Sequence, residues 1–194
     1  MPASGTLAFP PASSTVASAA LPRQRLPRFP VDPESQCGKV NWCWAAVAQA
    51  VLRCFDYPMT QRAIVLHCDS ENVDNDQPFQ LFQALRTLKL AYERCFGVDI
   101  ANFVAAHSAV QPVPITISWG HGSAHAICAL GTDMLNGEPA LLIYDPQPPS
   151  CPSNGQDLIK LVPVTAFAGG YLEASSKQAR GHWTDAVRVT GHAP

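Results

Sequence analysis

Residues 36–55 read QCGKVNWCWAAVAQAVLRCF, and the reading of this stretch decides the fold. From Cys43 onward Val47, Ala50, Val51 and Cys54 recur at helical spacing. Gly38 and Asn41, just ahead, suit a turn into a helix. The helix therefore opens on a cysteine set between Trp42 and Trp44, with Gln36 seven residues upstream. At a helix start, backbone N–H groups lack intrahelical partners and the macrodipole favours an anion. Such a setting raises the thiolate fraction of a cysteine. Cys43 thus stands where a nucleophile would be useful; the competing reading is a core cysteine that merely starts a helix.

Around this stretch the composition sets bounds. The chain has 194 residues, 47% hydrophobic and 14% charged, enough for one domain with a core and too short for two ordinary ones. A net charge of −2 gives no basic surface for nucleic acid, so no nucleic-acid partner is expected. No apolar run reaches the roughly 18–20 residues of a membrane span. The seven cysteines, at 37, 43, 54, 68, 95, 128 and 151, are odd in number, so a monomer keeps at least one free thiol. There is no C-x-x-C and no Cys/His set at zinc-finger spacing, so neither a structural metal nor a disulfide-dependent fold is expected. A bond between Cys37 and a distant partner stays open.

Residues 1–31 differ from the rest. They hold six Pro, six Ala, four Ser and three Arg, with no acidic residue and no periodic apolar face. This segment is expected to be a disordered leader or a targeting segment, with a single domain from Asp32 to Pro194. Inside the domain, helices are expected over Cys43–Phe55, over Thr60–His67 with Thr60 as N-cap, over 78–90 and over 99–107. CDSENVDNDQP (68–78) reads as a solvated loop and lacks the glycine and closing glutamate of a calcium loop. Then the pattern changes: VPITISW (113–119), HAICALGTD (125–133), ALLIYD (140–145), LIKLV (158–162) and HWTDAVRVT (182–190) are short and β-rich. Helices fill the first half and a sheet the second, which argues α+β rather than alternating α/β.

A nucleophilic thiol needs a base that also protonates the leaving group. Of six histidines, His125 starts an apolar strand directly after a Gly/Ser loop, whereas His121 lies between two glycines. The base in turn needs a group that fixes its orientation. Asp145 ends the next strand, and a hairpin through TDMLNGEP would bring His125 and Asp145 together. Gln36 could add its amide to the Cys43 backbone N–H in stabilising an oxyanion.

These residues carry a resemblance. Gln36, Cys43 and Trp44, in the order Q-x₆-C-W, resemble the oxyanion glutamine, nucleophile and following tryptophan of the papain-like cysteine peptidases. WCWAA (42–46), HA (125–126), YDP (144–146), PITISW before the histidine and GHWT (181–184) are similar to the compact bacterial branch, typified by type III effector proteases of plant pathogens. The likeness spans about residues 36–190. The C-G-S-C-W pattern of the plant and lysosomal enzymes is absent, Cys43 and His125 are 82 residues apart, and Asp145 stands where those enzymes use Asn. The resemblance implies a helical layer packed on a twisted antiparallel sheet, with a catalytic cleft between. It implies a peptidase of peptide or isopeptide bonds that needs no cofactor and acts as a monomer on a protein or peptide substrate. It also implies residence in a bacterial cytoplasm before secretion into a host or target cell. Glutamine deamidation or transpeptidation at the same Cys43–His125–Asp145 triad, or a catalytically idle binding protein, are the alternatives.

Overall fold

The structure is a computed structural model that describes residues 34–36, 38–71, 76–96, 100–108, 110–120, 123–146, 158–168, 171–172 and 180–192. The leader, the expected boundary at Asp32, and Cys37, His121 and Cys151 lie outside the described residues. The described chain is α+β. Helices α1 (Cys43–Cys54), α2 (Gln61–Cys68) and α3 (Leu81–Thr87) come first. Strand β1 (Leu90–Phe96) and helix α4 (Ile100–His107) follow, then β2 (Val113–Gly120), β3 (Ser123–Leu135) and β4 (Glu138–Tyr144). The chain ends with β5 (Ile159–Pro163), α5 (Val164–Ala168), β6 (Tyr171–Leu172) and β7 (Arg180–His192).

Six strands form one antiparallel sheet in the order β1-β7-β2-β3-β4-β5, and the short β6 pairs with β7. β3 and β4 form a hairpin whose two turn residues, Asn136 and Gly137, have φ of 53° and 87°. Two left-handed residues make the tight turn that matches strand twist. The strands therefore zip right up to it, and both run longer toward the turn than their apolar cores alone suggest.

Helix α1 is buried along ten consecutive residues, Cys43 to Leu52. A helix apolar all round belongs inside a protein, and α1 lies between α2 and α3 on one side and β3 on the other. Its alanines leave room for this close approach. Trp44, fully buried, packs its ring 5.0 Å from that of Phe79. Along β3 the alternation is strict: Ala126, Cys128 and Leu130 face the α1–α3 layer, while Ile127 and Ala129 face a second core. That second core is closed by Val104 of α4 and Phe167 of α5. Helices therefore cover both faces of the sheet, not only the expected N-terminal layer.

Two local expectations change. The helix expected over 78–90 ends at Thr87, because Leu88 caps it and Lys89 takes a left-handed φ of 57°. The next residues, LAYERCF, join the sheet edge as β1; the continuing apolar spacing of 78–90 hides this switch. The second expected helix begins one residue later, at Gln61, with Thr60 Oγ1 accepting from the Ala63 N–H as an N-cap. Among the described residues no helix is long and apolar enough to cross a membrane.

Where β7 crosses the end of β2, a Cβ on Gly181 would run into the side chains of Ile117 and Trp119, whereas one on Gly191 would meet nothing. Overpacking of this kind costs about 1–3 kcal/mol. Gly181→Ala is therefore expected to lower the thermal midpoint by several degrees and Gly191→Ala to leave it nearly unchanged. Equal midpoints for the two variants in a thermal melt would contradict the close approach.

Candidate active site

The register of three neighbouring strands builds the site. Ile143 faces Ala129 on β3 and Lys160 on β5. His125, near the start of β3, and Asp145, just past the end of β4, come together at one end of the sheet, where Lys160 of β5 also reaches. His125 Nε2 stands 2.8 Å from Asp145 Oδ1, and Lys160 Nζ donates to Asp145 Oδ2 at 3.0 Å. Asp145 is fully buried and His125 is 4% exposed.

Cys43 reaches this line from the helical side. The Ala126 N–H donates to Cys43 Sγ at 3.4 Å. Nε2 is turned to Asp145, and the Cys43 thiol also acts on the imidazole, raising its pKa. No side chain caps the start of α1, so the first-turn N–H groups remain free of a competing cap at the position of the thiol. A cleft of about 220 Å³ opens here, with Cys43, Trp44 and Asn41 on one wall, Pro78 and Phe79 above, and Trp119, Ala124 and His125 on the sheet side.

Electrostatics set the imidazole apart. Burial alone would lower its pKa, but hydrogen bonds and charge from Asp145 and Cys43 outweigh this and push it up from 6.5 to about 10. Three other thiols behave oppositely to a nucleophile. Burial, helped by Asp56, pushes Cys54 up to about 11, and burial, helped by Asp69, does the same to Cys68. Burial raises the Cys128 thiol as well.

Gln36 sits beside these groups. Its backbone N–H donates to Pro146 O at 3.0 Å, next to Asp145, and the residue is buried. Its amide nitrogen donates to Lys39 O at 3.1 Å and to Val40 O at 2.7 Å. These carbonyls lie in a short loop with no ladder to accept from, so the amide orders the approach to α1. Its Oε1 has no hydrogen-bond partner among the described residues.

Two further residues belong to the site's support. Asp76 accepts from the Val40 and Asn41 N–H groups at 2.7 and 3.0 Å, and Asn41 Nδ2 donates to its carbonyl. This carboxylate lies in the stretch expected to be solvated loop, and it pins the 40–41 segment from the far side. Lys160 was readable only as a lone charge within LIKLV. Among the described residues no group of three or more His, Cys, Asp or Glu could hold a metal ion.

The His125 shift has a signed consequence. A histidine that binds its proton more tightly when folded adds stability in full below its unfolded pKa, near 6.5, and loses it as the pH rises through the folded value, about 10. The stability advantage of the wild type over His125→Gln, measured by urea unfolding, is therefore expected to be largest at pH 6 and gone above about pH 10. The raised thiols titrate alike in both proteins and cancel. A gap that stays constant or widens with pH would contradict the charged imidazole.

Compared with protein-family models and with curated proteins, the chain matches none.

Proposed function

We propose that the protein is a thiol-dependent hydrolase of papain-like design that cleaves peptide or isopeptide bonds. The observation that carries this reading is the line from the start of α1 to the sheet: Cys43, accepting from the Ala126 N–H at 3.4 Å beside His125, and a fully buried Asp145 standing 2.8 Å from His125 Nε2. Nothing in packing alone calls for a buried imidazole between a thiol and a carboxylate, because each such group is costly to bury without function or full pairing.

The chemistry follows from the roles. Cys43 gives its proton to His125 and attacks the substrate carbonyl carbon; the carbonyl π electrons move to oxygen. The backbone N–H groups at the uncapped start of α1 meet that oxyanion. As the tetrahedral species collapses, the C–N bond breaks and His125 protonates the departing amine, leaving a thioester on Cys43. His125 then takes a proton from water, whose oxygen attacks the thioester, and the thiol is released with a carboxylic acid. Asp145 holds the imidazole ring throughout. Gln36 assists by ordering the 38–41 loop, and it would donate directly to the oxyanion only after releasing Lys39 O or Val40 O. The aromatic walls of the cleft, Phe79 and Trp119, suit an apolar substrate side chain beside the scissile bond.

Chemical labelling separates this reading from a structural cysteine. Ordinary thiols are largely protonated near pH 6, while a histidine-paired thiol at a helix start retains thiolate, with a pKa of about 3.5–7.5 in such settings. Limiting iodoacetamide at pH 6 is expected to label Cys43 before Cys54, Cys68 or Cys128, and loss of turnover to track that labelling. His125→Ala is expected to slow the labelling at least tenfold while the fold survives. Peptide mapping reads the outcome, and product masses tell hydrolysis from deamidation. If Cys43 stays unlabelled until the chain unfolds, the hydrolase reading fails.

In the same assay Cys43→Ala is expected to abolish turnover without loss of the cooperative thermal transition. Residual activity above a tenth of wild type would move the nucleophile elsewhere.

A further inference from the structure

We infer that Lys160 is a positioning residue that holds Asp145 in place as a carboxylate while the His125 proton comes and goes. The inference rests on the hydrolase reading for its role in a reaction, but the contact behind it stands by itself. Each oxygen of the buried Asp145 carboxylate faces one cation: Oδ1 faces His125, and Oδ2 accepts from Lys160 Nζ at 3.0 Å. The backbone is fixed as well, since the Asp145 N–H donates to Leu158 O at 2.8 Å at the entry to β5. Lys160 stands on β5 in register with Ile143, and its side chain is 26% exposed. The carboxylate is thus held from β3, from β5 and by its own backbone.

A histidine alone is an intermittent partner. When His125 gives its proton to a leaving group, a carboxylate paired only with that ring would become a lone buried anion, which is costly. It would then take up a proton or swing away, and the ring would lose its guide before water is activated. A lysine ammonium keeps its charge around neutral pH and stays out of the proton transfers. With Lys160 in place, imidazolium, carboxylate and ammonium alternate in charge from β3 to β5. Other groups near Asp145 among the described residues carry different pairings. Tyr144 precedes it on β4 and donates its hydroxyl to Glu34 O at 2.5 Å, the Glu34 carboxylate pairs with Arg53, and Cys43 lies beyond His125. None of these offers Asp145 a second permanent cation at hydrogen-bond distance.

The test follows the Asp145 carboxyl directly by ¹³C NMR from pH 3 to 7, with the signal assigned through Asp145→Asn. Wild type, Lys160→Met and Lys160→Arg are compared. An adjacent opposite charge moves a carboxyl by about 1–3 pH units, so the protonation midpoint is expected to rise by about that much in Lys160→Met and to return toward wild type in Lys160→Arg. The acid limb of the kcat/KM profile is expected to rise in step. An unchanged midpoint in Lys160→Met, or an acid limb that stays put in an enzyme that hydrolyses peptides, overturns the inference. A moved midpoint in a wild type that hydrolyses nothing overturns the hydrolase reading and leaves the hold on Asp145 standing. If Lys160→Met does not fold, the double variant Asp145→Asn/Lys160→Met decides. Recovery of the fold supports the pairing, and continued unfolding overturns it.

Discussion

A carboxylate with no exposure to water must be matched on both oxygens, and Asp145 imposes that requirement on the rest of the chain. One oxygen draws His125 from β3, and the other draws Lys160 from β5. For both to arrive, three strands must hold a single register, because a slip of one residue would send one partner to the opposite face. The Asn136–Gly137 turn fixes the β3–β4 half of that register, and the ladder from Ile159 to Pro163 fixes the other. Core packing on both faces of the sheet then makes the register costly to change, since Ile127, Ile143 and Ala129 would leave the second core.

The helical side meets the same line from the other direction. α1 is buried over its first ten residues, so its start is positioned by packing rather than by a cap. Trp44 packs inward against a tilted Phe79 ring, and Trp42 is buried with the Lys39 ammonium over its ring. The two tryptophans that bracket Cys43 are therefore wedges that set the thiol at the cleft wall. The loop ahead of them is tied twice: inside by the Gln36 amide, outside by Asp76. Gln36 is also tied to Pro146, which joins the segment before the helix to the chain just past β4. In the proposed reaction this matters, since the thiol, the imidazole and its carboxylate must keep their distances through two proton transfers.

Much of this was legible in the residues, and the reasons differ by element. Apolar spacing marked α1, the Thr60-capped helix and the strands, because each has one period and clear ends. Cys43, His125 and Asp145 were legible as a set because each stands at or near the end of a regular element, where a group is fixed yet can meet groups from other elements. Strand β1 was not legible: LAYERCF continues the apolar spacing of the helix before it, and only the left-handed Lys89 separates the two. Helix α5 has five residues, too short for any periodicity. The orientation of Gln36 depends on which carbonyls lack partners in the folded loop, and the work of Asp76 and Lys160 depends on contacts between segments far apart in sequence. No local pattern carries such information.

The central claim is that His125 is an imidazolium because Cys43 and Asp145 hold it so. The most direct measurement is ¹⁵N NMR of the His125 ring at pH 7.5 in the wild type and in Cys43→Ala. Both ring nitrogens are expected to be protonated in the wild type, with proton loss at distinctly lower pH once the thiol is removed. A neutral ring in the wild type at pH 7.5, or a titration that Cys43→Ala leaves unchanged, would contradict it.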